Sequence, residues 1–175
     1  MSVATTIRPF RPGDAGALAA LFHAAVRQGA LGDYRPEQVV AWSPSPPDPA
    51  AFAARAIDGR LVLVAVDARD RPLAYGDLEP SGHIDHLYCR PDMIGRGVAS
   101  AIYDRLEAAA RGRGLVRLFV EASEAARRLF AAKGFVALER RDFMLRGVTI
   151  HNYRMEKSLA DDDGATKGGV LRGDG

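Results

Sequence analysis

His83, Asp85, His86 and Cys89 fall within one short segment, and five residues separate the cysteine from a Gly95-Arg96-Gly97 stretch. Side chains of the first group can hold or move a proton. Glycines at the start of a helix leave backbone N–H groups open to an anion, and the helix dipole adds partial positive charge there. A pyrophosphate fits such a place, with Arg96 as an extra cation; a plain helix start after a loop explains the same residues. If His83 to Cys89 is a strand, His83 and Asp85 project from one face and Ile84 and His86 from the other. Glu79, in the preceding turn, is a further carboxylate that could take a proton. Strand alternation leaves two ligands per face, fewer than the three protein ligands of a catalytic zinc site, so no metal is expected. Cys89, alone in an apolar strand, reads as a small buried hydrophobe and not as a nucleophile.

Other glycine-loop chemistries can be tested on the same residues. A P-loop closes with Gly-Lys-Ser/Thr, whereas this stretch continues Gly97-Val98-Ala99. A dinucleotide fingerprint comes closer, since a helix and a strand ending at Glu121 follow. Yet Ser100 replaces its third small position, and its first glycine belongs in a tight turn directly off the strand. A nucleotide-dependent oxidoreductase stays open as an alternative.

These residues need a scaffold. Thr5 to Arg8 reads as a strand, and Asp14 as the N-cap of a helix with Leu18, Leu21, Phe22, Ala25 and Val26 at helical spacing up to Gly29. A short helix is expected over Pro36 to Trp42, and another from Asp48-Pro49 through Phe52 and Ile57 to Gly59. Leu61 to Val66, Leu73 to Leu78 and His83 to Cys89 form a strand meander with turns at Asp70-Arg71-Pro72 and Pro80-Ser81-Gly82. The spacing then predicts a helix over Gly95 to Ala110, a strand over Leu115 to Val120, and a helix capped by Ser123. Phe135 to Leu145 and Val148 to Met155 close the pattern as an antiparallel pair turning near Arg146-Gly147. The order implies a mixed sheet with helices on its faces, an α/β or α+β layered domain. Residues 160–175 lose all apolar period and read as a disordered tail, leaving one domain over 1–159.

Composition agrees with one globular domain: 175 residues, 47% hydrophobic, 26% charged and a formal charge of +2. Arginine is spread rather than massed, so nucleic acid is not an expected partner. No apolar run reaches the ~20 residues of a membrane span, no secretory signal is visible, and one cysteine forms no internal disulfide. The expected location is the cytoplasm.

The stretch from Gly82 to Ala99 resembles the acetyl-CoA-binding core of the GNAT superfamily. Leu87-Tyr88-Cys89-Arg90-Pro91 matches the end of the family's central strand. Gly97 and Ala99 match two small loop positions; Ile94 stands where the family has Gln or Arg, and Gly95 and Arg96 match the residues between it and Gly97. Ala122 to Ala126 and Phe130 to Phe135 are similar to its later helix and turn, and Asn152 to Lys157 resembles a bacterial branch of small members. The resemblance spans Ile7 to Leu159. It implies a mixed, mostly antiparallel sheet of about seven strands with helices on both faces. It also implies acetyl transfer from acetyl-CoA, as cosubstrate, to a primary amine of a small molecule or protein. Backbone groups of Leu87, Tyr88 and Cys89 would line the pantetheine arm, and those of Ile94, Gly95, Arg96, Gly97, Val98 and Ala99 the pyrophosphate. Tyr34 and Trp42 lie in the loop that shapes the acceptor pocket in the family, or pack beneath it. A second copy of the chain is an open option as partner.

An alkyl ammonium with a pKa of about 10.4 is neutral only once in several thousand molecules at pH 7, so a group that removes its proton is worth having. His83 and Asp85 sit at positions where some members carry ionisable groups on this strand, and Glu79 is the next candidate. Phe130 occupies the position of a tyrosine that many members use as proton donor to the thiolate; Tyr153 could replace it or act as a cross-strand aromatic. Given Ile94 and Phe130, a non-catalytic CoA-binding regulatory domain is the alternative.

Overall fold

The computed structural model describes residues 4–160, so the tail expected over 160–175 lies almost wholly outside the described residues. Its strands are β1 (Thr6–Pro9), β2 (Leu61–Val66), β3 (Pro72–Leu78), β4 (Leu87–Cys89), β5 (Arg117–Ala122), β6 (Val136–Leu145) and β7 (Val148–Ser158). Its α-helices are α1 (Ala15–Ala24), α2 (Pro36–Trp42), α3 (Pro49–Ala56), α4 (Val98–Gly112) and α5 (Glu124–Ala132). The expected α/β layering with seven strands is what the chain forms. The strands divide into two antiparallel sheets, ordered β1-β2-β3-β4 and β5-β7-β6.

Sequence explains most of this. β2 reads Leu-Val-Leu-Val-Ala-Val, a run of strand-favouring residues covered on both faces. One face meets α1 and α3 through Leu18, Leu21, Phe52, Val62, Val64 and Tyr75. The other meets α4, whose Val98, Ile102, Leu106 and Ala110 recur at helical spacing and are all buried. Gly76 in β3 permits that contact, since a Cβ there would stand 2.9 Å from Leu87 and 3.0 Å from Ile102. β6 and β7 join through Arg146 (φ 48°) and Gly147 (φ 77°), a two-residue turn in the left-handed region that suits the twist of a hairpin.

Two expectations are corrected. Asp14 does not cap α1: its carboxylate takes two bonds from the Arg8 guanidinium (2.8 and 2.9 Å) and one from the Arg11 N–H, which anchors the first turn to β1. The strand expected over His83 to Cys89 shrinks to Leu87–Cys89. The reason is Asp77, a fully buried carboxylate in β3. Its Oδ1 accepts the N–H groups of Asp85 (2.9 Å) and His86 (3.0 Å), which draws that segment out of the ladder.

The same segment joins the two sheets. His83 bridges Phe119 in parallel, with Ile84 N–H to Phe119 O at 3.0 Å and Phe119 N–H to Gly82 O at 3.1 Å. Beyond that bridge β4 and β5 share no ladder. The chain has opened a cleft between two strands that start out bonded.

Candidate active site

β4 forms one wall of the cleft. Its ladder with β3 pairs Tyr88 with Tyr75, flanked by Asp77 N–H to His86 O and Arg90 N–H to Leu73 O. In an antiparallel ladder alternate residues bond inward, so the N–H and C=O of Leu87 and Cys89 face away from β3, toward the cleft. A three-residue 3-10 turn (Pro91–Met93) then leads to Gly95 and Gly97, both at positive φ (77° and 78°), and Gly97 caps α4. The first helical bond runs from Ala101 N–H to Gly97 O, which leaves the N–H groups of Val98, Ala99 and Ser100 without helical acceptors. A Cβ at Gly95 or Gly97 would meet nothing within 4 Å, so the space in front of them is open. The helix expected from Gly95 therefore begins at Val98, and the two glycines form its approach.

These groups line a cavity of about 490 Å³. Leu87, Tyr88 and Cys89 form one side, Ile94 to Ala99 one end apart from Arg96, and the α5 residues Ala125, Ala126 and Leu129 the far wall. Ala25, Gly29 and Ala30 close it; they belong to or adjoin a π-helical turn (Ala25–Gly29) that continues α1. Such turns recur at functional sites. Burial pushes the Cys89 thiol up to about 11, so it is protonated at pH 7. Lys133 and Arg128 border this cavity, though Asp104 (2.6 Å) and Asp33 (2.8 Å) hold them.

A second cavity of about 230 Å³ continues from the first, and Trp42, Tyr88 and Ser123 border both. Phe22, Tyr34 and Trp42 supply one wall and Phe143, Leu145 and Ile150 of the β6–β7 hairpin another. Asp85, His86, Glu121, His151 and Asn152 supply its polar groups. Tyr34 is fixed by its hydroxyl, which donates to the His151 carbonyl (3.0 Å) and accepts from Glu124 N–H (3.2 Å).

Asp85 and His83, expected side by side on a strand face, have different surroundings. Asp85 borders the second cavity and is held by Arg55 at 2.5 Å. Burial alone would raise its pKa, but Arg55 outweighs it and the net direction is down. His83 borders neither cavity. It stacks on Phe119 and is hydrogen-bonded between Glu121 (Nε2 to Oε2, 2.5 Å) and Glu79 (Nδ1 to Oε1, 3.2 Å). Burial works against its charged form, but the two carboxylates prevail and its pKa rises. His86, expected to face away, does border the cavity; its ring stacks on Phe22 and its Nδ1 meets the Tyr75 hydroxyl at 2.9 Å. Burial lowers His86 to about 4, so it is neutral at pH 7. Phe130 is packed in the core between Tyr103 and Phe135 and borders neither cavity. The Tyr153 hydroxyl donates to Glu124 at 2.7 Å, a structural partner.

Sequence reasoning missed Glu121, His151 and Asn152 as site residues. Glu121 had one signal: a charged residue at the end of an apolar strand, two before a helix cap.

A family model described as acetyltransferase (GNAT) domain matches residues 30–157. The uncharacterised N-acetyltransferase YafP of Escherichia coli (strain K12) is 28% identical over 149 residues, 85% of this chain and 93% of the relative. A crystal structure of a GCN5-related N-acetyltransferase from Rhodopseudomonas palustris, also described as "Aminotransferase, Class-II", is 39% identical with a TM-score of 0.81, covering 91% of this chain and 99% of that one. A phosphinothricin acetyltransferase from Sinorhizobium meliloti, solved with acetyl-CoA, shares the fold at 19% identity and a TM-score of 0.72, covering 96% and 95%.

Proposed function

The chain belongs to the GNAT acetyltransferase family, and from that premise we propose that it moves the acetyl group of acetyl-CoA directly onto a primary amine, with residues 1–159 as the transferase domain. When bound, acetyl-CoA supplies the activated acyl carbon and a thiolate leaving group. The larger cavity is suited to it. The outward amides of Leu87 and Cys89 can pair with an extended amide-bearing arm, and the free N–H groups of Val98 to Ser100 with a pyrophosphate. The open space at Gly95 and Gly97 lets phosphate oxygens approach the backbone. Ile94 is half exposed at this end, and backbone groups make up for the polar side chain it lacks. The Cys89 thiol, protonated at neutral pH, takes no part in transfer.

The smaller cavity receives the amine. The observation that carries the reading is Glu121: it borders this cavity, stands two residues from Ser123 where the cavities meet, and bonds His83. Glu121 takes the ammonium proton. With His83 in its neutral form and the ring proton on Nδ1, Glu121 passes a proton to Nε2 as Nδ1 hands one to Glu79, whose side chain reaches solvent. His83 and Glu79 thus act behind Glu121, and Asp85, kept ionised by Arg55, attracts the ammonium without accepting its proton. The cytoplasm fits this reading, and no helix among the described residues is long and apolar enough to cross a membrane.

A thiol-release assay over a panel of amines tests it. Glu121→Gln should lose about 10²-fold or more in kcat, the scale of general-base catalysis, while keeping acetyl-CoA affinity. A near-wild-type rate would remove the base from Glu121. Tight acetyl-CoA binding with no amine turned over would favour a CoA-binding regulatory domain.

A further inference from the structure

Resting on that reading, the structure assigns the acceptor a chemical class: we infer that it is a monoamine with an aromatic or branched hydrocarbon body and no acid group. Three observations carry this.

The first is charge. Among the described residues bordering the smaller cavity there is no lysine or arginine. Of its two histidines, His86 is neutral, and His151 directs its Nε2 to Glu124 at 2.9 Å. The two guanidiniums that meet the Asp77 and Asp85 carboxylates are already taken. Arg55 is bound by Asp77 (2.7 Å) and Asp85 (2.5 Å), and Arg60 by Asp58 (2.7 Å) and Asp77 (3.1 Å). Asp58, Asp77, Glu79, Asp85 and Glu121 outnumber Arg55, Arg60 and His83 in this cluster, so its field favours a cation. A substrate carboxylate entering here would meet no lysine or arginine among the described residues of the lining.

The second is hydrogen bonding. The Oδ1 of Asn152 is buried at this cavity and has no partner among the described residues. With the Asp85 and Glu121 carboxylates it gives the cavity acceptors to match the N–H groups of an ammonium.

The third is shape. Phe22, Trp42, Phe143, Leu145 and Ile150 give the rest of the wall an apolar face. Roughly 150 Å³ suffices for a benzene-sized ring. The 230 Å³ found here leaves room for a short alkyl arm that carries the nitrogen to the junction at Ser123.

The test compares matched pairs: phenethylamine with phenylalanine, tryptamine with tryptophan, isoamylamine with leucine. Each decarboxylated member should exceed its amino acid in kcat/KM by about 10²-fold or more, because like charges set against each other are strongly disfavoured in such a site. Binding of the same pairs, measured by calorimetry in the presence of CoA, should rank alike. If nothing is acetylated, this ranking still decides the class while the loss of activity counts against acetyl transfer alone. Phe143→Arg, which adds a cation to the apolar wall, should narrow the gap between phenethylamine and phenylalanine by tenfold or more, with acetyl-CoA binding as the check on folding. Amino acids used or bound within threefold of their amines would overturn the inference. So would a preference for spermidine over every monoamine.

Discussion

Asp77→Asn removes one charge and no volume, and its effects can be worked out bond by bond. Asp77 is fully buried; its Oδ1 holds the N–H groups of Asp85 and His86, and its Oδ2 accepts from Arg55 (2.7 Å) and Arg60 (3.1 Å). Asparagine can keep the first pair through its carbonyl, but then turns an NH2 donor toward two guanidiniums. Breaking a buried ion pair costs about 3–5 kcal/mol where it strands a charge. Here Arg55 keeps Asp85 and Arg60 keeps Asp58, so about 2–3 kcal/mol is expected. At about 2–4 °C per kcal/mol for a domain of this size, Tm should fall by about 4–12 °C. The Asp85–His86 segment would also loosen, and it borders only the smaller cavity. Amine turnover should therefore drop tenfold or more while acetyl-CoA affinity stays within about twofold. Thermal unfolding, calorimetry and steady-state rates on one preparation measure all three. A Tm within 1 °C of wild type would refute the argument from the buried charge. Loss of acetyl-CoA binding at an unchanged Tm would refute the division of the cleft.

Gly82→Ala should destabilise by about 2–5 kcal/mol, combining a left-handed φ of 93° with a Cβ 2.2 Å from the Arg117 carbonyl oxygen; an unchanged denaturant midpoint would show that the bridge between the sheets tolerates it. Gly97→Glu should abolish the Tm rise caused by acetyl-CoA, since its carboxylate would occupy and repel the pyrophosphate site; equal affinity by calorimetry would move that site elsewhere. Cys89→Val should keep turnover within a few-fold, and a covalent acetyl group on Cys89 found by mass spectrometry would contradict direct transfer. The folded pKa of His83 is raised, so its charged form stabilises the fold fully below the unfolded value of about 6.5 and less as pH climbs through the folded value. The stability advantage of wild type over His83→Gln should thus shrink from pH 6 upward, and an advantage that grows would reverse the sign of the coupling.

The elements were legible wherever local pattern decides them. β2's apolar run, the α4 periodicity, the Ser123 cap and the Arg146-Gly147 turn all follow from residue type and spacing. Three misreadings share a cause: a side chain reaching across the fold to claim a group that local pattern assigns otherwise. Asp14 fits an N-cap, yet Arg8 lies close enough to take it in two bonds. His83 to Cys89 alternates like a strand, but Asp77 captures two of its amides from the neighbouring strand. Glu121 went unseen because its partner His83 is 38 positions away in sequence and meets it only once the two sheets join.

The cleft also explains why those long-range bonds fall where they do. Unpaired backbone groups are costly unless water or a ligand meets them. Two parallel strands bonded at His83–Phe119 would ordinarily zip onward and satisfy their edges. Asp77 prevents this on one side by pulling Asp85 and His86 toward β3. On the other, Ser123 ends β5 by capping α5, its hydroxyl accepting from Ala126 N–H at 3.3 Å. The outward groups of Leu87 and Cys89 are left as an edge that an extended amide ligand can join as a strand would, which on the proposed reading is the pantetheine arm. Asp77 thus serves both cavities with different oxygens: Oδ1 holds the backbone whose departure opens the cleft, and Oδ2 carries the charge that holds Arg55 against Asp85 at the smaller cavity.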